Sequence, residues 1–294
     1  MDERKDVTPR SRARRSRGGL RHAGAALVLV GLLAVAGCRH EDPPPPPPPV
    51  APIQILKIIF PEGFTRQEMA ERVAAVRKIA IENRNVTPRL DRAGYVRATA
   101  EAKPPTAFRK DWPGDRIEGF LFPATYEFTK RTTARKLVRD QLAEFQRQWR
   151  KLELGYARSK NLTPYDVLII ASMVEKEAVA PEERKLVAAV IYNRLRAGMQ
   201  LGIDATIRYG RNVPGTESLK ESDLESDDPY NTRNRLGLPP TPISNPGVAS
   251  LRAAARPATV DYLFFVRKPD GVHHFFTASE AEFFSKKCEY GFGC

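Results

Sequence analysis

Two glutamates stand at the end of an otherwise apolar run, Val167-Leu168-Ile169-Ile170-Ala171-Ser172-Met173-Val174-Glu175-Lys176-Glu177-Ala178. A carboxyl group among aliphatic side chains loses hydration, which disfavours the charged form and keeps the acid protonated closer to neutral pH. A protonated carboxylic acid at the mouth of a pocket is what glycosidic-bond cleavage requires to expel a sugar oxygen. Successive helical residues turn by about 100°, so Glu175 and Glu177 leave the helix on nearly opposite sides. Only one of them can point into a given cleft, and the other is left to a partner such as Arg184 or to the cleft rim. Periodicity does not choose between them.

Other chemistries fit the residues less well. The four histidines are His22, His40, His273 and His274. The last two are adjacent in an expected strand, where neighbours face opposite ways, so they do not form a metal site together. No serine or cysteine lies in a nucleophile motif. No metal and no cofactor is therefore expected. A third carboxylate, Asp204, sits two residues before Thr206 in Gly202-Ile203-Asp204-Ala205-Thr206, which reads as one face of an extended strand.

The glutamate helix has a clear start, with Thr163 as cap and Pro164 in the first turn. Pro181 opens the next helix, over residues 182–196, with Val187, Val190, Ile191 and Leu195 on its buried face, Asn193 and Arg194 near its end, and Gly198 as its stop. Residues 218–246 read as a long loop holding Tyr230-Asn231-Thr232 and Gly237-Leu238-Pro239-Pro240. A helix over 248–255, a strand over 262–266, an Asp270-Gly271 turn and a return strand over 273–276 complete this part. Upstream, residues 55–60 read as a strand, turned by Pro61-Glu62-Gly63. Thr65 and Glu68 form a capping box for a helix with Met69, Val73 and Val76 as its stripe. This strand and one or two helices, to about residue 105, make a small separate module. The aromatic-rich residues 117–128 line either a sugar groove or a hydrophobic corner, and large apolar residues favour the corner. Thr133 opens a helix to about residue 152, with Leu137, Leu142 and Phe145 inward.

The N-terminal residues carry an address. Arg10, Arg12, Arg14, Arg15, Arg17 and Arg21 precede an apolar stretch over residues 23–37 that ends Val35-Ala36-Gly37-Cys38. Its fifteen residues would span about 22 Å as a helix, short of the roughly 30 Å hydrocarbon core, as in a signal peptide. Small residues before Cys38 resemble a lipoprotein cleavage site, with Cys38 as the lipidated residue; an uncleaved, short membrane anchor is the alternative. Residues 38–52 form a tether whose seven prolines at 43–49 extend roughly 20 Å as polyproline II. Either anchor puts the body outside the cytoplasm. In that compartment Cys288 and Cys294 are free to pair as a disulfide or to remain thiols. The eight Lys/Arg and three Asp/Glu of residues 1–37 carry +5 of the total +13, leaving +8 on the exported part. That charge suits polyanions such as anionic lipid or cell wall. Export and the lack of a basic stripe with stacking aromatics exclude nucleic acid.

In this order the segments resemble the endolytic murein transglycosylases, the YceG-like or MltG family. The likeness rests on Phe60-Pro61-Glu62-Gly63 and its helix, on Glu118-Gly119-Phe120-Leu121-Phe122-Pro123 with Thr125-Tyr126-Glu127-Phe128, and on Tyr230-Asn231-Thr232 with Gly237-Leu238-Pro239-Pro240 and Asn245-Pro246-Gly247. Its most specific part runs from Ala171 through Glu175, Glu177, Glu183 and Arg184 to Asn193-Arg194-Leu195 and Gly198-Met199. The resemblance implies cleavage of the MurNAc-GlcNAc β-1,4 bond of nascent peptidoglycan strands without water, leaving 1,6-anhydro-MurNAc ends. It assigns catalysis to Glu177. Glu175, Asn193, Arg194, Asp204, Thr206, Tyr230, Asn231 and Thr232 are the expected substrate-binding residues. It implies an α+β fold, with a LysM-like module over 53–105 and a mixed α/β catalytic domain over 106–294 built around the central glutamate-bearing helix. The expected partners are peptidoglycan strands, the membrane through a lipid or N-terminal anchor, and peptidoglycan synthases. The expected place is the cell envelope with the body in the periplasm: the inner membrane by resemblance, with Arg39 after Cys38 leaving outer-membrane sorting open. The family usually has Gln-x-Asp-Pro-Thr where this chain has Gly202-Ile203-Asp204-Ala205-Thr206, and a Glu-His pair near Glu280, which here lacks the His.

Two other readings compete. A hydrolytic muramidase needs a second carboxylate, for which Asp204 across the cleft is suited. A non-catalytic peptidoglycan-binding lipoprotein would have no need of an acidic, desolvated Glu177.

Overall fold

The computed structural model of the chain describes residues 52–114 and 117–293. The leader expected over 1–37, lipidation at Cys38, the tether as far as residue 51, and Cys294 lie outside the described residues. Among the described residues no helix is long and apolar enough to cross a membrane. The described chain mixes helix and strand, as an α+β fold does.

Strand β1 (Leu56–Ile59) pairs antiparallel with β2 (Thr125–Phe128), Leu56 opposite Phe128 and Ile59 opposite Thr125. β1 comes from the stretch expected to make a separate module, and its partner lies beyond residue 105. Helix α1 (Arg66–Arg84) begins at the expected capping box: the Thr65 hydroxyl accepts the Glu68 N–H, and the Glu68 carboxylate accepts the Thr65 N–H at 2.6 Å. Such a cap stabilises a helix by about 1 kcal/mol. α2 (Arg92–Glu101) and α3 (Ala134–Trp149) follow, the latter capped by Thr133 as expected. Buried Tyr95 of α2 donates its hydroxyl to Gln141 of α3 at 2.8 Å, which ties the two helices together.

After the short α4 (Gly155–Ser159) comes α5 (Pro164–Glu177), the helix of the paired glutamates. Thr163 caps it with Pro164 in the first turn, and Asp166 completes a capping box. Residues 167–174 are all buried, so this helix has no solvent face between its first and last turns. α5 packs against α6 (Arg184–Ala197) and α9 (Val248–Ala255). A 3-10 turn at Pro181–Glu183 supplies the first part of the helix expected from residue 182. Gly198 ends α6 in the left-handed conformation, φ +65°.

The strand expected at Asp204 and Thr206 is instead the start of a helix, α7 (Asp204–Arg211). Gly202, at φ +61°, turns the chain out of its single extended bridge, Gln200 to Leu236. The Thr206 hydroxyl then bonds the Ile203 carbonyl three residues back, which is helical and not extended geometry. The long loop that follows contains one short helix, α8 (Glu221–Leu224). Strands β3 (Phe264–Arg267) and β4 (His274–Thr277) form the expected hairpin, whose turn is held by the Asp270 carboxylate accepting the Val272 and His273 N–H groups. His273 is half-buried while His274 is buried, as neighbours with opposite directions differ. The His274 ring meets Glu183 at 2.7 Å and ties the hairpin to the foot of α6. In α10 (Glu280–Glu289), Cys288 is disulfide-bonded.

The aromatic segment is a hydrophobic corner and not a groove wall. Ile117, Phe120, Leu121 and Phe122 are buried. Phe108 meets Phe120, Phe145 and Trp149 edge-on at 5.0, 5.6 and 4.8 Å, and Phe120 stacks on Tyr165 of α5 at 6.2 Å. Aromatic packing of this kind fixes α5 from below.

Candidate active site

The last turn of α5 leaves the core, and its two carboxyl groups part. Glu175 accepts the Gly247 N–H at 2.9 Å at the start of α9. There it lies beside Glu62, whose carboxyl is pushed up by burial and by the Glu175 charge, against the opposing pull of Arg184. A Cβ at Gly247 would occupy the position of the Glu62 carboxylate and push that side chain aside.

Glu177 faces the other way, toward α7 and β3. Part of its surface reaches solvent, yet its carboxyl is enclosed, and burial pushes it up to about 7. Arg267 on β3 pulls it down, Asp204 pushes it up, and the Ala205 N–H and Arg208 pull it down. Ile203, the residue before α7, has no capping side chain. The Glu177 carboxyl faces this uncapped start of α7, near the Ala205 N–H, so the positive end of the helix favours its ionised form. The result is an acid poised between its protonated and ionised forms near neutral pH.

Asp204 joins Glu177 at this end of α7 and is held by Arg233, Nε to Oδ1 at 2.7 Å. Arg194 and Arg233 line an open cleft of about 530 Å³ with Gly198, Gln200, Leu236 and Phe264; Glu177 and Asp204 do not line it, and Arg233 joins it to Asp204. The guanidinium of Arg194 lies over the Phe264 ring at 5.2 Å and bonds the Leu263 and Leu201 carbonyls at 2.5 and 2.7 Å.

The remaining expected residues lie behind this surface and bond to the protein. Thr206 is fully buried and pairs with Thr232, Oγ1 to Oγ1 at 2.9 Å; Thr232 also accepts the Ile203 N–H at 3.0 Å. Asn231, also buried, donates to the Leu224 and Ser226 carbonyls at 2.8 Å each. The Tyr230 hydroxyl meets Thr241 at 2.7 Å. Asn193 donates to the Val260 and Tyr262 carbonyls at 2.9 Å each, fixing the approach to β3. In this structure these five are buried in the protein; Glu177 and Asp204 reach its surface together, Arg194 lies in the neighbouring cleft, and Glu175 is on the far side of α5.

Glu118 escapes a reading centred on α5. It is 3% exposed, and burial pushes its carboxyl up to about 7 against the bonds from Arg66, Tyr209 and Asn245. Its signal was the same as that of Glu177, a carboxylate inside an apolar stretch. Arg208, Arg233 and Arg267 also surround the site, brought in by folding alone. Among the described residues no group of three or more His, Cys, Asp or Glu could hold a metal ion.

The sequence profile of the YceG-like family matches residues 50–288, and the chain belongs to that family. It is 34% identical over 223 residues to a protein of Streptococcus pneumoniae R6 named endolytic murein transglycosylase, covering 71% of this chain and 40% of that protein. A Bacillus subtilis 168 protein of the same name is 31% identical over 219 residues, covering 73% of this chain and 60% of that one. The chain thus spans between two fifths and three fifths of the length of these relatives. A crystal structure at 2.6 Å of a Listeria monocytogenes protein described as YceG-like superposes with a TM-score of 0.63 at 29% identity, covering 81% of this chain and 77% of that one.

Proposed function

We propose that this chain is a lyase, an endolytic peptidoglycan lytic transglycosylase, with Glu177 as its single acid and base. The observation that carries the reading is the enclosed Glu177 carboxyl, raised to about 7 between Asp204, Arg267 and the start of α7. In its protonated form it donates to the leaving oxygen of the MurNAc-GlcNAc β-1,4 bond. Once ionised, it accepts the proton of the C6 hydroxyl as that oxygen closes on C1, giving a 1,6-anhydro-MurNAc end. Atoms balance without water, and cleavage within nascent strands would terminate their elongation. Basic side chains at the cleft, Arg194 and Arg233, suit the carboxylates of peptidoglycan stem peptides. The relatives named endolytic murein transglycosylase support the same class of substrate.

The finer assignments belong to the same proposal: a signal peptide over 1–37 with Cys38 lipidated, a tether over 38–52, a LysM-like module over 53–105, and a catalytic domain over 106–294 centred on the glutamate helix. So do substrate contacts by Arg194 and Asp204, a supporting role beneath the site for Asn193, Thr206, Tyr230, Asn231 and Thr232 and beyond α5 for Glu175, membrane anchorage with the body in the periplasm, and action beside peptidoglycan synthases. Hydrolysis is the second reading, favoured by Asp204 standing within electrostatic range of Glu177.

Mass spectrometry of muropeptides released from purified sacculi tests the activity. Ends about 18 Da lighter than reducing ends are expected, because the sugar itself replaces water as acceptor. Reducing ends would make the enzyme a muramidase with Asp204 as partner. Binding without release would leave a glycan-binding protein.

A further inference from the structure

We propose that Glu118 is a positioning residue for the reaction: through Tyr209 it holds α7 so that Ala205 and Asp204 meet the Glu177 carboxyl. The inference rests on the catalytic reading of Glu177.

Three separate parts of the chain converge on the buried Glu118 carboxyl. The Arg66 N–H at the start of α1 reaches both oxygens, at 2.8 and 3.1 Å. Asn245 Nδ2 donates to Oε1 at 2.7 Å, and the Tyr209 hydroxyl donates to Oε2 at 3.2 Å. The first two anchors are rigid. Asn245 accepts the Leu121 N–H on its side-chain oxygen at 2.9 Å, and its amide nitrogen also reaches the Phe64 carbonyl at 2.9 Å. Gly119, at φ +87°, packs so closely on Pro242 that a Cβ would lie 2.7 Å from its ring. Glu118 is therefore a fixed point, and the Tyr209 hydroxyl ties α7 to it.

α7 needs such a catch. Its eight residues are too few for an autonomous helix, and Ile203 offers no cap. Its first turn is held by Thr206 and Thr232, and its outer face by Arg208 on the Pro214 and Glu217 carbonyls at 3.0 and 2.6 Å. Arg211 meets Asp223 at 3.3 Å. All of these bonds lead to the loop of residues 212–232, which belongs to the same outer layer. The Tyr209 hydroxyl instead reaches a carboxyl fixed to α1 and to the 245–247 segment, the segment that also donates to Glu175. A small rotation of α7 would take the Ala205 N–H and Asp204 away from Glu177, and misplacement of about 1 Å in a catalytic constellation costs up to 100-fold in rate.

The experiment compares Tyr209→Phe, Glu118→Gln and the double variant in the full chain. Initial rates of muropeptide release from sacculi are followed across pH 5–9, with thermal melting alongside. Tyr209→Phe keeps the ring and removes only the hydroxyl. Its kcat is expected to fall about tenfold with apparent KM changed less than about twofold. The alkaline limb of its kcat profile moves to lower pH, because drawing α7 away hydrates Glu177 and removes the Asp204 charge, which outweighs the loss of the Ala205 N–H. The double variant falls no further than the worse single variant. A wild-type kcat and pH profile for Tyr209→Phe overturns the inference, whatever its melting temperature. Additive losses in the double variant overturn it as well. If Glu118→Gln does not fold, Tyr209→Phe decides alone. Activity retained by Glu177→Gln would sink the catalytic reading itself; loss there, with Tyr209→Phe unaffected, sinks only the positioning role.

Discussion

Glu177, at the end of the buried α5, faces Asp204 and the Ala205 N–H, which open the uncapped α7. One contact thereby couples the end of the buried α5 to the start of a short surface helix. Arg267 first, then the Ala205 N–H and Arg208, let a carboxyl with so little hydration still ionise within reach of neutral pH.

The paired glutamates are expected to separate by substitution. Glu177→Gln should lower muropeptide release by about 1000-fold, within the range that general acid and base groups contribute. Glu175→Gln should keep measurable release, since its partner is the Gly247 N–H on the other side of α5. Circular dichroism of both variants would establish that the fold is kept. Equal losses, or loss at Glu175 alone, would contradict the assignment.

Activity should decline on the alkaline side, because donation to the leaving oxygen needs the protonated acid and Glu177 is raised to about 7. Asp204 is one of the groups that raise it. Asp204→Asn therefore shifts the alkaline limb of the kcat profile to lower pH. A shift upward, or none, would show that Asp204 does not act on Glu177 by charge.

Stability should also fall as pH rises. Glu118 and Glu177 are both raised from 4.5 to about 7 in the folded chain, so between these values the folded state binds more protons than the unfolded one. The slope of unfolding free energy with pH is then negative: the contribution is full below pH 4.5, declines through pH 7, and is flat beyond. Urea unfolding at pH 5 and pH 8 measures it. Glu118→Gln, which removes one of the two groups, should reduce the difference between the two pH values. An unchanged difference would place the proton uptake elsewhere.

Gly247→Ala should destabilise the chain by less than about 1 kcal/mol, because the flexible Glu62 side chain can move aside. The methyl would displace Glu62. Glu62→Ala in the same background should recover part of the loss, as read from urea midpoints. No recovery would mean that the strain falls on some other neighbour.

Local order was legible where a local cause exists. Thr65 with Glu68, Thr133, Thr163 with Pro164, Gly198 and Asp270-Gly271 mark their helix ends and turn because each bonds or bends only a few residues of chain. The error at Asp204 and Thr206 has the same origin. Residues two apart suggest one face of a strand, but the turn at Gly202 and the bond from Thr206 to Ile203 favour a helix.

By itself the sequence determined that two carboxyls end an apolar helix and must leave it on opposite sides, since that follows from helical rotation. It did not determine which carboxyl would meet an acid, an arginine and a helix start. Nor did it show that Glu118, 91 residues from Tyr209 and 127 from Asn245, would hold both. Only the tertiary structure decided those matters. Proton affinity depends on charges and hydration within a few ångströms in space, and long-range closure of the chain, not local periodicity, brings those groups together.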